Sequence, residues 1–187
     1  MARKKLEDEL TKEMIVEEAN VQFLQKDFNK VSMRAIATAL GCSHGAIYYH
    51  FENKTELFNA VVEKYFNVLN NLLEDALNYD CDEGTKRILL GFIEFGLNYQ
   101  SQYDFMFVKR EDALDPLQHQ ASHESLKKFH ATLQALHHNK LSDINIHSTF
   151  VALHGFVLYY KGRAENFEEA KDAATVYYDY LKLALVR

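Results

Sequence analysis

The chain of 187 residues contains few of the residues that interrupt regular structure, with 7 glycines and 1 proline. An all-β protein needs such residues at each of its many short connections, so their scarcity argues against that class. It also argues against a glycine-rich phosphate-binding loop. The only two cysteines, Cys42 and Cys81, cannot supply a disulfide framework or a four-cysteine zinc site. We expect two reduced thiols in an intracellular protein.

Long apolar runs are also missing, since none approaches the roughly 20 residues that a membrane span requires. Residues 3–5 are basic and are followed by acidic ones, with no apolar signal segment behind them. This pattern predicts a soluble cytoplasmic protein without a membrane partner. The apolar fraction of 48% is ordinary for a globular chain of this length.

The net charge of −6 is unevenly distributed along the chain. Residues 1–54 hold 8 Lys or Arg and 8 Asp or Glu, whereas the remaining 133 residues hold 13 and 19. The acidity therefore lies entirely outside the first 54 residues. An acidic total usually argues against nucleic-acid binding. Here the total is misleading if the two parts have different roles.

Apolar residues recur with the helical period along most of the chain, which predicts an all-α fold of about nine helices. We expect helices at about 7–26, 33–40, 44–50, 53–78, 85–99, 103–110, 116–138, 143–161 and 167–186. Ser32, Ser43, Asn53 and Asn166 are predicted N-caps, and Asp115 with Pro116 is typical of an N-cap followed by proline. A polar break is expected over residues 80–84.

The second and third helices have the combined length of a helix-turn-helix unit. Neither would be stable alone, so Ile36, Leu40 and Ile47 are expected to point inward and fix the angle between them. The outward side of the third helix then carries small residues at its start, followed by Tyr48, Tyr49 and His50. Hydroxyl and ring N–H groups of this kind bind phosphates and base edges.

Three segments resemble the DNA-binding domain of TetR-family transcriptional regulators: FNKVSMRAIA at 28–37, GCSHGAIYYHF at 41–51 and KTELF at 54–58. The resemblance covers about residues 8–68, with the helix-turn-helix motif at 32–51. It implies an N-terminal DNA-binding domain over 1–53 and a helical effector-binding and dimerisation domain over 54–187. It departs from the family at His44, where lysine or arginine is common.

The resemblance also implies particular DNA contacts. Ser32, Arg34, Tyr48, Tyr49, His50 and Lys54 would contact backbone phosphates, while Ser43, His44, Gly45 and Ala46 would lead the third helix into the major groove. Arg3, Lys4 and Lys5 would lie near phosphate or in an adjacent minor groove. Two-fold symmetric dimers of this family read palindromic operators.

The C-terminal part resembles a family subclass with a Trp-x-x-x-His-Gly pattern, in which Phe150 replaces the tryptophan before His154 and Gly155. In this family the last two long helices usually pair with those of a second copy. The resemblance implies a homodimer interface that includes Phe150, Phe156, Val157, Ala173, Ala174, Tyr177, Tyr180 and Leu181. The alternative is an ordinary packing face within one chain.

The middle helices are rich in aromatic residues, in the region where TetR-like proteins enclose an effector. Apolar walls with a few polar groups suit a small-molecule pocket. The residues expected to line it are Phe66, Phe92, Phe95, Tyr99, Tyr103, Phe105, Met106, Phe129 and His154. Aromatic stripes at helical spacing are also common in plain cores, and this alternative stays open.

Histidines at 119, 123, 130 and 137 fall within about 40° on one helix face. The pair His119 and His123 could bind a transition metal, with Glu111 or Asp112 as a further ligand, or serve as polar anchors in an organic-ligand pocket. The alternative is that these histidines form the half-solvated edge of an amphipathic helix and bind no ligand. A zinc site from Cys42, His44 and His50 is conceivable but not expected, because packing and DNA contact already explain these side chains. We expect no metal and no cofactor.

The function that these features predict is a ligand-responsive, sequence-specific DNA-binding regulator, a repressor released from its operator by a small-molecule effector. The alternatives are a metal-responsive regulator of the same fold and a helical adaptor that does not bind DNA. No nucleophile elbow, metal-protease motif or phosphate loop is present, so an enzyme is not expected. The sequence names neither the effector, the operator nor the regulated genes, and it does not separate repressor from activator.

Overall fold

The computed structural model describes residues 10–26, 28–108 and 115–187, with side chains described outside 115–121. Within these ranges the chain forms nine α-helices and no strand. They are α1 (Lys12–Gln25), α2 (Met33–Ala39), α3 (His44–His50), α4 (Lys54–Ala76), α5 (Cys81–Asn98), α6 (Gln100–Tyr103), α7 (Asp115–Leu136), α8 (Asp143–Tyr160) and α9 (Phe167–Leu185). A 3₁₀ turn occupies Phe28–Lys30 and a π-helical turn occupies Asp104–Val108. The all-α prediction is confirmed.

The predicted N-caps explain where several helices begin. Ser32, Ser43 and Asn53 each accept a hydrogen bond from the backbone N–H three residues later, and Asn166 accepts from Glu168. Each bond satisfies one of the N–H groups that a helix start leaves without a partner. The sequence therefore located these four starts correctly.

Three predicted boundaries were wrong. The helix that contains Ile15 begins at Lys12, because Thr11 caps it by accepting from Met14 N–H, and residues 7–9 of the predicted helix lie outside the described residues. The polar break ends at Asp80, whose side chain caps α5 so that the helix already starts at Cys81. The helix predicted over 103–110 is an α-helical turn ending at Tyr103, continued by the π-helical turn.

The first three helices pack on one another, and α1 packs against α4. Phe58 of α4 lies edge-on to Phe23 at 4.9 Å and to Phe28 at 5.2 Å, measured between ring centroids. All three rings are buried. Such aromatic pairs contribute beyond the area they bury. The short helices α2 and α3 thus gain a fixed position that they could not hold alone.

The remaining helices form a bundle around α5, which packs against α4, α7, α8 and α9. With 23 residues, α4 is about 35 Å long and is shared by both parts of the molecule. The domain boundary predicted at residue 54 stays a prediction. None of the described helices is long and apolar enough to cross a membrane.

Candidate nucleic-acid interface

The turn between α2 and α3 holds these helices at a fixed angle. Gly41 has φ of +67°, a left-handed conformation that favours glycine. Next to it, the Cys42 N–H donates to the Ala37 carbonyl at 3.1 Å, and the Cys42 side chain is buried. Ser43 then caps α3. The turn is therefore defined by backbone conformation, a hydrogen bond and burial together.

One side of α3 is buried and the other faces solvent. Ile47 is fully buried against the rest of the unit, whereas Tyr49 is 87% exposed and Tyr48 is 45% exposed. The His44 ring lies edge-on to Tyr48 at 4.8 Å, and Tyr49 lies edge-on to His50 at 5.2 Å. These contacts order the rings without engaging the tyrosine hydroxyls. The outer side of α3 thus presents hydroxyl and imidazole groups, which suit phosphate oxygens and base edges.

Most of the residues predicted to contact DNA lie on this side of the molecule or beside it. Exposed residues are Ser32, Arg34, His44, Gly45, Tyr48 and Tyr49, and half-buried ones are Ser43, Ala46 and His50. Arg3, Lys4 and Lys5 lie outside the described residues. The hydroxyls of Ser32 and Ser43 each accept a helix N–H group, and the exposed Ser32 hydroxyl can still donate its proton to a further acceptor.

Lys54 occupies a different position from the one expected. Its ammonium group donates to the carbonyls of Phe28 at 2.9 Å and Val31 at 3.1 Å, and it lies 4.2 Å from the centroid of the Phe28 ring. These contacts tie the start of α4 to the turn before α2. The structure thus assigns Lys54 an internal supporting role, and its predicted phosphate contact stays a prediction.

An aromatic cluster in the larger unit surrounds the imidazole of His154. Its ring centroid lies 4.5 Å from that of Phe150, 4.7 Å from Phe107 and 5.1 Å from Phe92. The Tyr103 hydroxyl is hydrogen-bonded to His154 Nδ1. Burial lowers the pKa of His154 to about 4 and raises the pKa of Tyr103 well above its usual value. Both groups are therefore neutral at physiological pH.

The structure brings five of the nine predicted pocket residues together and places the other four elsewhere. Phe92, Tyr103, Phe129 and His154 belong to this cluster, and Phe66 joins it through Phe107 at 5.5 Å. Phe105 instead contacts Phe58 of the N-terminal unit at 5.4 Å. Phe95 and Tyr99 pair with each other at 5.3 Å, and Met106 is buried.

Sequence reasoning missed two members of the cluster. Phe107 was omitted although it lies in the same aromatic run as Phe105, and only the π-helical turn decides which ring faces which unit. Phe150 was expected at the dimer interface, yet it contacts His154, one helical turn further on. That spacing of four residues was the signal that could have placed it.

The predicted dimer interface needs a correction. Phe150, Val157, Ala174 and Leu181 are each at most 8% exposed within one chain, so they have almost no surface left for a second copy. The prediction is wrong for these four, because the apolar pattern of α8 and α9 covers more than one face and the inner face packs on α5. Phe156, Ala173, Tyr177 and Tyr180 remain on the outer side.

The predicted histidine stripe separates into unrelated environments. His123 is exposed, and the side chain of His119 lies outside the described residues, as do Glu111 and Asp112. His130 Nε2 lies 2.9 Å from Asp143 Oδ1, and His137 contacts α5. Among the described residues no group of three or more metal-ligating side chains comes together.

The geometry of the N-terminal unit is that of a helix-turn-helix protein, with its second helix exposed on one side. Residues 15–61 match the family model described as bacterial regulatory proteins, tetR family. A probable acrEF/envCD operon repressor of Escherichia coli is 46% identical over 57 residues, which cover 30% of this chain and 26% of that protein. A probable transcriptional regulator of Bacillus subtilis, YttP, is 31% identical over 107 residues, covering 56% and 52%.

The fold of the whole chain has solved counterparts. A transcriptional regulator of the TerR/AcrR family from Aquifex aeolicus aligns with a TM-score of 0.75 and 20% identity, covering 92% of this chain and 98% of that one. The aligned part of this chain spans about a quarter of the E. coli relative and about half of the B. subtilis one. Residues 15–61 are thus similar to the tetR family of bacterial regulatory proteins, and 92% of the chain shares the fold of the A. aeolicus protein.

Proposed function

We propose that the protein is a dimeric, sequence-specific DNA-binding repressor that a small-molecule effector releases from its operator. The observation that carries this proposal is the outer side of α3, where Tyr48 and Tyr49 are held in an exposed row while Ile47 anchors the helix from behind. A helix that served only to complete the core would gain nothing from two exposed tyrosines. The similar proteins from E. coli and B. subtilis are a probable repressor and a probable regulator, which supports the same function.

Selection of bound duplexes from a random library by the full chain tests DNA recognition. We expect a palindrome to be enriched, because a symmetric dimer reads two equivalent half-sites. Affinity for it should fall with salt, by about 0.9 log units per phosphate neutralised per log unit of salt. Failure to enrich any sequence, at low salt as well as high, would contradict the proposal.

A matched pair of tyrosine variants then tests the α3 surface. Tyr49→Ala removes one exposed hydroxyl from each chain of the dimer. Each lost hydrogen bond costs about 0.5–1.5 kcal/mol, so the loss of two should weaken DNA binding about tenfold. Tyr79→Ala is the control, because Tyr79 is also exposed but lies beyond the far end of α4, stacked on Arg87. Equal affinities of both variants and the unaltered protein would remove Tyr49 from the interface.

A second copy of this chain is the proposed partner of α8 and α9. Their outer side exposes Val151, Tyr159, Val176, Tyr180 and Leu183 at 55–71% each. Phe156, Tyr177 and Tyr180 add a row of nearly parallel rings, 5.0 and 6.2 Å apart. A surface of this apolar character on two adjacent long helices is typical of an interface between identical chains.

The effector is proposed to act on the cluster around His154. A neutral imidazole and a neutral phenol among apolar rings suit an uncharged or weakly polar organic molecule better than a metal ion. The π-helical turn offers a physical route to the DNA-binding unit, because Phe107 contacts His154 while Phe105 contacts Phe58. A coupling of about 1–3 kcal/mol would change operator affinity about 5–150-fold.

A melting-temperature screen with metals and amphipathic organic compounds tests the effector proposal, since only compounds that bind the native state stabilise it. We expect an organic compound to raise the melting temperature of the unaltered protein and to have a smaller effect on Phe107→Ala. It should also weaken binding to the selected palindrome. If only a metal ion stabilised the protein, the organic effector would be refuted in favour of a metal-responsive regulator.

A further inference from the structure

A thiol, an imidazole and a hydroxyl meet where the start of α5 packs against the end of α7, away from both sites described above. Cys81 Sγ lies 3.3 Å from His137 Nδ1, and Thr85 Oγ1 lies 2.8 Å from His137 Nε2. The Thr85 hydroxyl donates to the backbone carbonyl of Cys81 at 2.6 Å. Thr85 is buried, whereas Cys81 and His137 are both partly exposed.

These hydrogen bonds define the orientation of the imidazole. Because the Thr85 proton is already given to a carbonyl, its oxygen accepts from His137 Nε2–H. The other ring nitrogen, Nδ1, is then left without a proton and faces the thiol as an acceptor. Burial lowers the pKa of His137, so the ring is neutral at pH 7. Burial, with a smaller contribution from Asp82, raises the pKa of the Cys81 thiol, which is therefore protonated and able to donate.

A nucleophile that is hydrogen-bonded to a base, itself oriented by a third group, is the arrangement of an activated side chain. We propose that Cys81 is a site of covalent modification by small, neutral electrophiles with an activated carbon–carbon double bond, with His137 as its general base and Thr85 as the residue that positions His137. The second cysteine lacks this environment, because Cys42 is buried and its thiol donates to the Ala37 carbonyl.

The reaction is an addition and balances without an oxidant. The Cys81 sulfur forms a bond to the β-carbon of an α,β-unsaturated carbonyl compound while its proton passes to His137 Nδ1. The π electrons of the double bond move towards the carbonyl, and the imidazolium returns the proton to the α-carbon. The product is a thioether, and His137 is neutral again.

The surroundings of Cys81 favour a neutral reagent. Asp80 and Asp82 flank Cys81 in the chain. The ammonium group of Lys182 pairs with Asp82 at 3.1 Å, so the positive charge of Lys182 is already compensated and would not attract an anionic reagent. An anionic electrophile would meet two carboxylates here. Formation of an intramolecular disulfide is a poor alternative, since the only other cysteine of the chain is buried in the turn between α2 and α3.

The test measures alkylation of the full-length chain by N-ethylmaleimide at pH 7, with mass spectrometry of the intact protein and of its peptides. We expect one addition, at Cys81, with a rate that depends on His137. His137→Gln should slow it about a hundredfold, the lower end of what a positioned base contributes. His138→Asn is the matched control: His138 is the exposed next residue, with φ of 55° that asparagine tolerates, and its variant should react as fast as the unaltered chain.

The role of Thr85 is separated from a merely structural one by two substitutions. Thr85→Val keeps the shape but loses the hydroxyl and should slow alkylation, whereas Thr85→Ser restores the hydroxyl and should restore the rate. Circular dichroism melts show that each variant is folded under the assay conditions. Equal rates for the unaltered chain and His137→Gln, or addition only in denaturant, would overturn the proposal. The assay contains no DNA, so its result is independent of the proposed regulator function.

Discussion

Lys54→Met separates two roles for the residue that begins α4. The substitution removes the charge and the donors of the ammonium group but keeps an unbranched apolar stem. In the structure those donors hold the carbonyls of Phe28 and Val31, which belong to the turn that precedes α2. We therefore expect the variant to lose stability, and to lose DNA affinity only because the helix-turn-helix unit is less well supported.

The magnitude follows from the two hydrogen bonds. A charged donor contributes about 1.5–3 kcal/mol for each bond, and the interaction with the Phe28 ring adds about 0.5–1 kcal/mol at a partly exposed site. Taking the lower values, because Lys54 is only half-buried, the free energy of unfolding should fall by about 3.5 kcal/mol. For a chain of this size that corresponds to roughly 9 °C in melting temperature.

Two measurements on the same variant decide between the roles. Urea denaturation gives the change in the free energy of unfolding, and operator binding over a range of salt gives the number of phosphate contacts. A lost phosphate contact lowers the salt slope by about 0.9 per chain, whereas a supporting role leaves the slope unchanged. Arg34→Met is the control with the opposite expectation, since Arg34 is exposed on α2: stability unchanged and slope reduced.

The supporting role of Lys54 is refuted if Lys54→Met unfolds within about 0.5 kcal/mol of the unaltered protein, the range of ordinary surface substitutions. A reduced salt slope together with unchanged stability would restore the phosphate contact that the family resemblance implies.

Four further predictions concern other positions in the structure. Burial holds the pKa of His154 at about 4, below its ordinary 6.5. As the pH falls below 6.5, the imidazole is protonated in the unfolded chain before it is protonated in the folded one, so the free energy of unfolding falls. Between pH 7.5 and 5 the unaltered protein should lose about 2 kcal/mol that His154→Gln does not lose in parallel urea titrations. Gly84→Ala should cost about 1–3 kcal/mol in the same assay, because an added Cβ would lie 2.8 Å from the backbone oxygen at the end of α4. Gly45→Ala should instead stabilise the fold by about 0.5–1 kcal/mol, because no atom lies nearer than 3.9 Å to the added Cβ, and it should weaken operator binding. A destabilised Gly45→Ala variant would contradict the free space that the structure shows around Gly45. Tyr180→Glu places a charge on the apolar side of α9 and should raise the dimer dissociation constant at least tenfold in sedimentation equilibrium, whereas an unchanged mass would place the interface elsewhere.

Local chemistry explains which parts of the fold could be predicted from the sequence. The N-caps Ser32, Ser43 and Asn53 act on backbone groups only three residues away, so their effect does not depend on the rest of the chain. The inward position of Ile47 followed from helical spacing, and it is fully buried. The errors also arose locally, since Thr11 and Asp80 are caps that the pattern of apolar residues alone did not reveal.

Tertiary structure decided the properties that depend on contacts between distant segments. The ammonium group of Lys54 binds carbonyls more than twenty residues earlier in the chain, and Cys81 meets His137 across 56 residues. Helical periodicity gives the direction of a side chain from its own helix but not which helix lies opposite. The sequence by itself therefore determined an all-α chain with a helix-turn-helix unit, whereas only the packed structure determined which apolar face is core and which side chains become partners.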